Sequence, residues 1–228
     1  MMRKIGILCP SDEELAPFLE ALVSQNVSRR AGLTIHEGLI GAHPVAALYS
    51  GVCKVNAAIA AQTLIGACGV DALVVSGVAG GLDAAVRPFD LVIARETAYH
   101  DVAEDILTEY HPWMESIWFQ SDAALLARAE AAARLFGARA HTGRIVTGEA
   151  FVDGAAREEI VRRYSPLAVD METAAAAHVA RAFGVPFIAL RAITDGADEG
   201  GADDFEKNCA SASTVAARAV IAMLNEPF

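Results

Sequence analysis

Residues 71–101 read DALVVSGVAGGLDAAVRPFDLVIARETAYHD. The apolar run before Ser76 predicts a buried strand that breaks into a glycine loop at SGVAGGL, and LVIARETAYHD predicts a second apolar strand after the Pro88–Phe89 turn. Upstream, Ile5 to Cys9 is a short apolar run ended by Pro10 and Ser11. It predicts a strand followed by a helix start, with Asp12, Glu13 and Glu14 in the first turn where acids suit the helix dipole. Segments 33–41 and 44–50 read as strands, and KVNAAIAAQTLIGACG as a helix ended by Gly69. Downstream, 121–136, 155–164, 172–183 and 204–224 read as helices, and 139–147, 167–170 and 186–193 as strands. Segment 102–120, with Tyr110, His111, Pro112, Trp113, Trp118 and Phe119 but no clean period, reads as a long functional or interface loop. The alternation predicts an α/β fold: one domain spanning 1–228, with a central, mixed, twisted sheet flanked by helices.

Composition narrows the function. The 228 residues carry 18 Lys and Arg against 29 Asp and Glu, a net charge of −11. That balance opposes a nucleic-acid polymer or an anionic membrane as partner, because such affinity comes largely from cations neutralising phosphates. Although 54% of residues are hydrophobic, no apolar run approaches the ~20 residues of a membrane span. The N-terminus reaches acids after a short apolar stretch, unlike a signal peptide, so the expected compartment is the cytoplasm. Cys9, Cys53, Cys68 and Cys209 have no CxxC or paired Cys/His spacing and read as buried thiols, and the six histidines have no metal-binding spacing. Neither a metal nor any other cofactor is expected.

Three acids follow predicted strand ends, where α/β proteins place their ligands: Glu14, Glu172 and Asp195. PFIALRAITD puts Arg191 and Asp195 at the carboxyl end of one strand, and SPLAVDMET puts Asp170 and Glu172 where another becomes an Ala-rich helix. Two carboxylates from neighbouring strands predict one cleft. The SGVAGGL loop could cradle a phosphate, but it lacks both the Lys-Ser/Thr ending of a P-loop and the dinucleotide-binding spacing, so a tight strand-to-loop turn reads equally well.

KIGILCPSDEE, SGVCKVNAA, SGVAGGL, TAYHD, TGEAFVDG, AVDMETAAAAHVA and VPFIALRAITDGAD, followed by Phe205, run almost end to end. In this order they resemble the purine nucleoside phosphorylase/hydrolase superfamily, and within it the 5′-methylthioadenosine/S-adenosylhomocysteine nucleosidases. The resemblance implies hydrolysis of the N-glycosidic bond of a 5′-substituted adenosine. Asp195 would be the general acid at N7, Glu14 would activate water, and Glu172 would hold the ribose hydroxyls beside an oxocarbenium-like centre. It also implies that Phe151 stacks on the purine, the backbone of Val152 reads its edge, Met171 lies against the ribose and Phe205 closes the cleft. Arg191 would position the water and acids, or pair with Glu14 or Glu172.

The phosphorylases of the superfamily hold phosphate with several arginines, including one in the N-terminal loop and one before the glycine loop. CPSDEE and DALVVSGVAGG offer no cation at either place, so water is the expected nucleophile. Two departures stand out. Val78 occupies the second position of a glycine loop where the nucleosidases often have serine, so one polar contact near the water is either lost or supplied by the backbone. Segment 102–120 departs from the family pattern where the 5′ pocket is usually lined, often across a dimer interface. The expected partner is a small purine nucleoside, and the expected assembly a homodimer. Open alternatives are another purine nucleosidase (acting, for example, on aminofutalosine), a phosphorylase, or a non-catalytic nucleoside-binding module.

Overall fold

The computed structural model describes residues 4–111, 114–152, 154–197 and 200–225. Strand β1 (Ile5–Cys9) is buried along its whole length. Continuous apolar runs of this kind belong to parallel strands covered on both faces. β1 lies parallel to β4 (His43–Tyr49) on one side and to β5 (Ala72–Gly81) on the other. Beyond β4, β3 (Leu33–Ile40) and β2 (Val23–Arg30) extend the sheet in antiparallel fashion.

On its other flank β5 pairs parallel with β10 (Phe187–Asp195), which pairs antiparallel with β6 (Leu91–Tyr99). β6 runs parallel to β8 (Ala140–Thr147), and β8 to β9 (Ala168–Asp170). β9 returns to β5 through Gly80↔Val169 and Gly81↔Ala168. The five strands β5, β10, β6, β8 and β9 therefore close a ring, with the remaining strands as a wing. Closure brings the carboxyl ends of β1, β5, β9 and β10 to one place.

Side-chain alternation assigns the two faces. Ile5, Ile7 and Val74 join one apolar cluster, Leu8, Leu73 and Val75 the other, as a period of two requires. Helices α1 (Asp12–Ala21), α4 (Ala123–Phe136) and α7 (Gly201–Asn225) cover the first face. Helices α2 (Lys54–Gln62), continued by a π-helical turn at Thr63–Ala67, and α6 (Thr173–Phe183) cover the second. α3 (Glu104–Glu109) adds Leu107 to the second cluster, and α5 (Gly154–Tyr164) packs Ile160 and Tyr164 into a third, smaller one.

Several boundaries differ from the sequence reading. The glycine stretch 76–81 is not a loop, because β5 continues through Gly81 and hydrogen-bonds to β10 and β9. Segment 102–120 is not wholly irregular: it holds α3 and the short strand β7 (Phe119–Gln120) on β6. Leu107, Met114 and Phe119 are buried, and Phe119 packs edge-on against Tyr99 at 5.9 Å. Pro112 and Trp113 lie outside the described residues. β2 was not foreseen, since its residues VSQNVSRR are almost all exposed and carry little apolar period. Cys53 and Cys68 are partly exposed, whereas Cys9 and Cys209 are buried as expected.

Where α2 meets α6 the buried positions are almost all alanine: Ala57, Ala60 and Ala61 facing Ala174 to Ala177 and Ala180. Small side chains let the helices approach closely, leaving no room for a larger residue. Ala60→Leu is expected to lower unfolding free energy by about 1–3 kcal/mol, as overpacked cores do, measured by urea denaturation. Unchanged stability would mean that this seam is loosely packed.

Candidate active site

A cleft of about 360 Å³ opens at the shared carboxyl ends of the central strands. Glu14, Val78, Phe151, Val152, Met171, Glu172, Asp195 and Phe205 all line it. Arg191 does not, but lies directly beneath, wholly buried on β10. The structure thus gathers every residue singled out from the sequence around one cavity.

Glu14 reaches the cleft because β1 ends at Cys9 and α1 starts three residues later, at Asp12. Ser11 is the N-cap, and its hydroxyl and Glu14 form a reciprocal capping box. The Glu14 side chain is aimed by four groups. Oε1 accepts from Val78 N–H at 2.8 Å and faces Arg191 Nη1 at 3.9 Å, while Oε2 accepts from Ser11 N–H at 2.7 Å and Ser11 Oγ at 2.8 Å. A side chain at position 77 would collide with this carboxylate, so Gly77 serves close approach here. Val78 therefore meets Glu14 through its backbone amide.

Glu172 is the N-cap of α6 at the end of β9. Its Oε1 accepts from Cys53 N–H at 2.9 Å, and its Oε2 lies 3.3 Å from Arg191 Nη2. Cys53 holds φ +82° and ψ 161°, a conformation ordinarily left to glycine, costing on the order of 1–3 kcal/mol. That backbone turns the amide toward the carboxylate.

Arg191 is the common partner. Nη2 lies 2.8 Å from Asp170 Oδ2, and Nε donates to Thr173 Oγ1 at 3.1 Å. Asp170 is held by Thr147 Oγ1 at 2.6 Å and by the Thr173 hydroxyl. The sequence offered Glu14 or Glu172 as ion-pair partners, whereas the shortest pair is with Asp170.

One guanidinium therefore faces three buried carboxylates. Burial raises the Glu172 carboxyl to about 7, with Arg191 opposing the rise and Asp170 adding to it. Burial likewise raises Glu14, against the opposing pull of Arg191, the Ser11 hydroxyl and the two backbone amides. For Arg191 burial acts downward, but the three carboxylates outweigh it and hold the guanidinium more firmly protonated than usual.

Asp195, 1% exposed, ends β10. Oδ2 accepts from Thr194 Oγ1 at 2.6 Å and Oδ1 from Ala197 N–H at 2.8 Å. Gly80 on β5 and Gly201 at the start of α7 leave it room: a Cβ at either would lie 3.1 or 3.0 Å from Oδ1. Phe151 and Phe205 stand edge to face at 6.4 Å on the rim, and Phe151 is 48% exposed. Met171 and Val152 form part of the wall.

Sequence reasoning missed the structural weight of Asp170 and Ser11, and the presence of Pro10, Val52 and Glu206 in the lining. Ser11 had a legible signal, the Ser-x-x-Glu spacing before a helix. Among its described residues, segment 102–120 supplies none to the lining within this chain. No lysine, arginine or histidine lines the cleft among the described residues, which instead bring Glu14, Asp170, Glu172, Asp195 and Glu206 to it. Nor is any group of three potential metal ligands found among them. No helix is long and apolar enough to cross a membrane, again among the described residues.

Solved structures with this architecture are numerous. A 5′-methylthioadenosine/S-adenosylhomocysteine nucleosidase from Neisseria meningitidis, in complex with methylthio-immucillin-A, superposes with a TM-score of 0.93 at 29% identity, covering 98% of this chain and 99% of that one. The corresponding nucleosidase from S. pneumoniae, with a transition-state inhibitor, gives 0.90 at 32% identity over 97% and 98%. A futalosine hydrolase of Helicobacter pylori gives 0.91 at 29% identity over 100% and 99%. The family model described as the phosphorylase superfamily matches residues 4–225. With the ring of strands, the carboxylate cleft and this match in agreement, the chain belongs to the phosphorylase superfamily.

Proposed function

We propose that the chain is a purine nucleosidase that hydrolyses the N-glycosidic bond of a 5′-substituted adenosine, such as 5′-methylthioadenosine or S-adenosylhomocysteine, and releases adenine. The observation that carries this reading is the charge of the cleft: five carboxyl groups line it, and among the described residues no cation does. The one buried cation, Arg191, is already shared by Glu14, Asp170 and Glu172. A phosphate dianion would meet repulsion there, whereas water would not. The nucleosidases among the structural relatives support the same choice.

The chemistry follows from the positions. Asp195 gives a proton to N7 of the purine, so that the electron pair of the breaking C1′–N9 bond is accepted by a neutral leaving base. Positive charge grows on the ribosyl carbon and ring oxygen, and ionised Glu172 stabilises it while accepting hydrogen bonds from the ribose hydroxyls. Glu14 takes a proton from the attacking water as its oxygen bonds to C1′. Phe151 and Val152 hold the base, Met171 the sugar, and Phe205 closes the rim. No cofactor enters. Pro10, Ser11, Val52 and Glu206 also line the cleft, and a 5′ group seated against them would meet a wall that disfavours a net negative charge.

We further propose a cytoplasmic homodimer. Val52, Val55 and Ile59 form an exposed apolar strip leading into and along α2, of the kind that pairs of subunits cover. Sedimentation should give twice the chain mass.

Adenine release from methylthioadenosine should proceed at the same rate with and without phosphate, and yield free ribosyl product in both cases. Strict phosphate dependence would overturn hydrolysis. With a panel of adenosine, methylthioadenosine, S-adenosylhomocysteine, inosine and aminofutalosine, the first three are expected to outrun the last. A chain that binds nucleosides but releases no base would be a binding module instead.

Asp195→Asn and Glu14→Gln should each lower kcat by roughly 10²–10⁴-fold, the usual worth of positioned acid–base help, while nucleoside binding persists. Full single-turnover adenine release by Asp195→Asn would remove it as the acid. Loss of binding alone in Glu14→Gln would remove it as the base.

Glu172 fixes a pH dependence. Its carboxyl, raised to about 7, must ionise to stabilise the cation, so kcat/KM should rise with pH through about 7. Because the carboxyl titrates above the ordinary glutamate range in the folded protein, this group's contribution to stability is full below that range and is lost as pH rises through about 7. Glu172→Gln should therefore lose the ascending limb and most activity, yet melt higher than wild type at pH 8 and about equally at pH 4. A retained limb near 7 would assign it to another group.

A further inference from the structure

We infer that Ser11 is a positioning residue for the attacking water: its hydroxyl holds the Glu14 carboxylate from the cleft side in the orientation in which it takes the proton. The inference rests on the reading of Glu14 as the base. An N-cap serine ordinarily works as an acceptor for the first helical amides. Here that bond is the long one, 3.3 Å from Glu14 N–H to Ser11 Oγ, whereas the hydroxyl donates to Glu14 Oε2 at 2.8 Å. The geometry favours donation over capping.

The other donors to this carboxylate are backbone amides, Ser11 N–H on Oε2 and Val78 N–H on Oε1, which would remain with any side chain at those positions. Arg191 is 3.9 Å away and committed more closely to Asp170. The Ser11 hydroxyl is therefore the one side-chain O–H that donates to Glu14 among the described residues. It is also a cleft-lining group, opposite Val78, whose apolar side chain offers no hydroxyl from the β5 side. Glu14 is held by a hydroxyl from the α1 side and by an amide from the strand side. Without the hydroxyl Oε2 keeps a single donor, and the carboxylate, pushed by burial toward its protonated form, loses one of the bonds that resist the push.

Three variants separate this role from simple capping. Ser11→Ala removes both functions, Ser11→Thr keeps both, and Ser11→Asp keeps a good cap acceptor while facing Glu14 with an oxygen that cannot donate when ionised. For Ser11→Ala we expect kcat to fall by roughly tenfold or more, the scale of a lost hydrogen bond to a charged group. KM should change little. Ser11→Asp should lose at least as much despite its intact helix, and Ser11→Thr should stay near wild type. A readout independent of turnover is the ¹³C resonance of the Glu14 carboxyl, identified by its loss in Glu14→Gln. It should titrate at higher pH in Ser11→Ala than in the wild type. Wild-type kcat in Ser11→Asp, or an unmoved Glu14 titration in Ser11→Ala, would overturn the inference and leave Ser11 as a cap. If no purine nucleoside releases its base but the titration moves, the nucleosidase reading falls while the hold of Ser11 on Glu14 stands.

Discussion

Everything in the cleft depends on a single buried guanidinium. Arg191 is 0% exposed on a central strand, where an unpaired cation would be prohibitive, and its position is tolerable only because Asp170, Glu172 and Glu14 converge on it from β9, the start of α6 and α1. The dependence runs both ways. Three carboxylates buried within reach of one another would repel, and the shared cation offsets that repulsion. Ring closure through β5, β10, β6, β8 and β9 makes the convergence possible, since it brings the end of β9 beside β5 and hence near β10.

The count of charges then governs chemistry. One cation cannot neutralise three anions, so the set is short by about two positive charges, and together with burial the shortage is expressed as an upward shift in the carboxyls of Glu172 and Glu14. A ribosyl cation forming above this site would supply part of the missing positive charge. Such a cleft is more complementary to the dissociating sugar than to the neutral nucleoside, which is the condition for catalysis rather than mere binding. The same deficit disfavours an anionic nucleophile. The preference for water is thus a property of the whole charge set, not only of missing arginines in two loops.

How much of this could be read in advance varied with the physical signal. Buried strands such as ALVVS and FIALRA announce themselves by continuous apolar runs, and α4 and α6 by helical periodicity closed with Gly137 and Gly184, both in the left-handed conformation. Glu14, Glu172 and Asp195 were legible because each follows such a strand. β2 was not, because an exposed edge strand buries too little to show a pattern, and α3 was hidden in a segment whose apolar residues are spent on several partners. Asp170 was visible as a residue but not as the nearest partner of Arg191: the two are 21 positions apart, and only the closed ring sets the 2.8 Å between them. The backbone of Cys53 was likewise illegible, since its left-handed turn contradicts its side chain and is imposed by the carboxylate it serves.

The glycine stretch on β5 carries the remaining step. Glycines at the mouth of an α/β sheet commonly let backbone amides approach a phosphate, and SGVAGGL invites that reading. Here a Cβ at Gly77 would strike Glu14 and also crowd Arg191 Nη1 at 2.8 Å, while one at Gly80 would lie 3.1 Å from Asp195 Oδ1. The strand is bare where the two proposed proton-transfer groups come in from opposite sides, α1 and β10. What would be an anion cradle in a phosphate-binding protein is filled by the protein's own anions. A bound phosphate and these two carboxylates would compete for the same surface, so small residues in β5 favour one chemistry at the cost of the other. The glycines thereby distinguish nucleoside hydrolysis from phosphorolysis through occupancy, independently of the distribution of arginines.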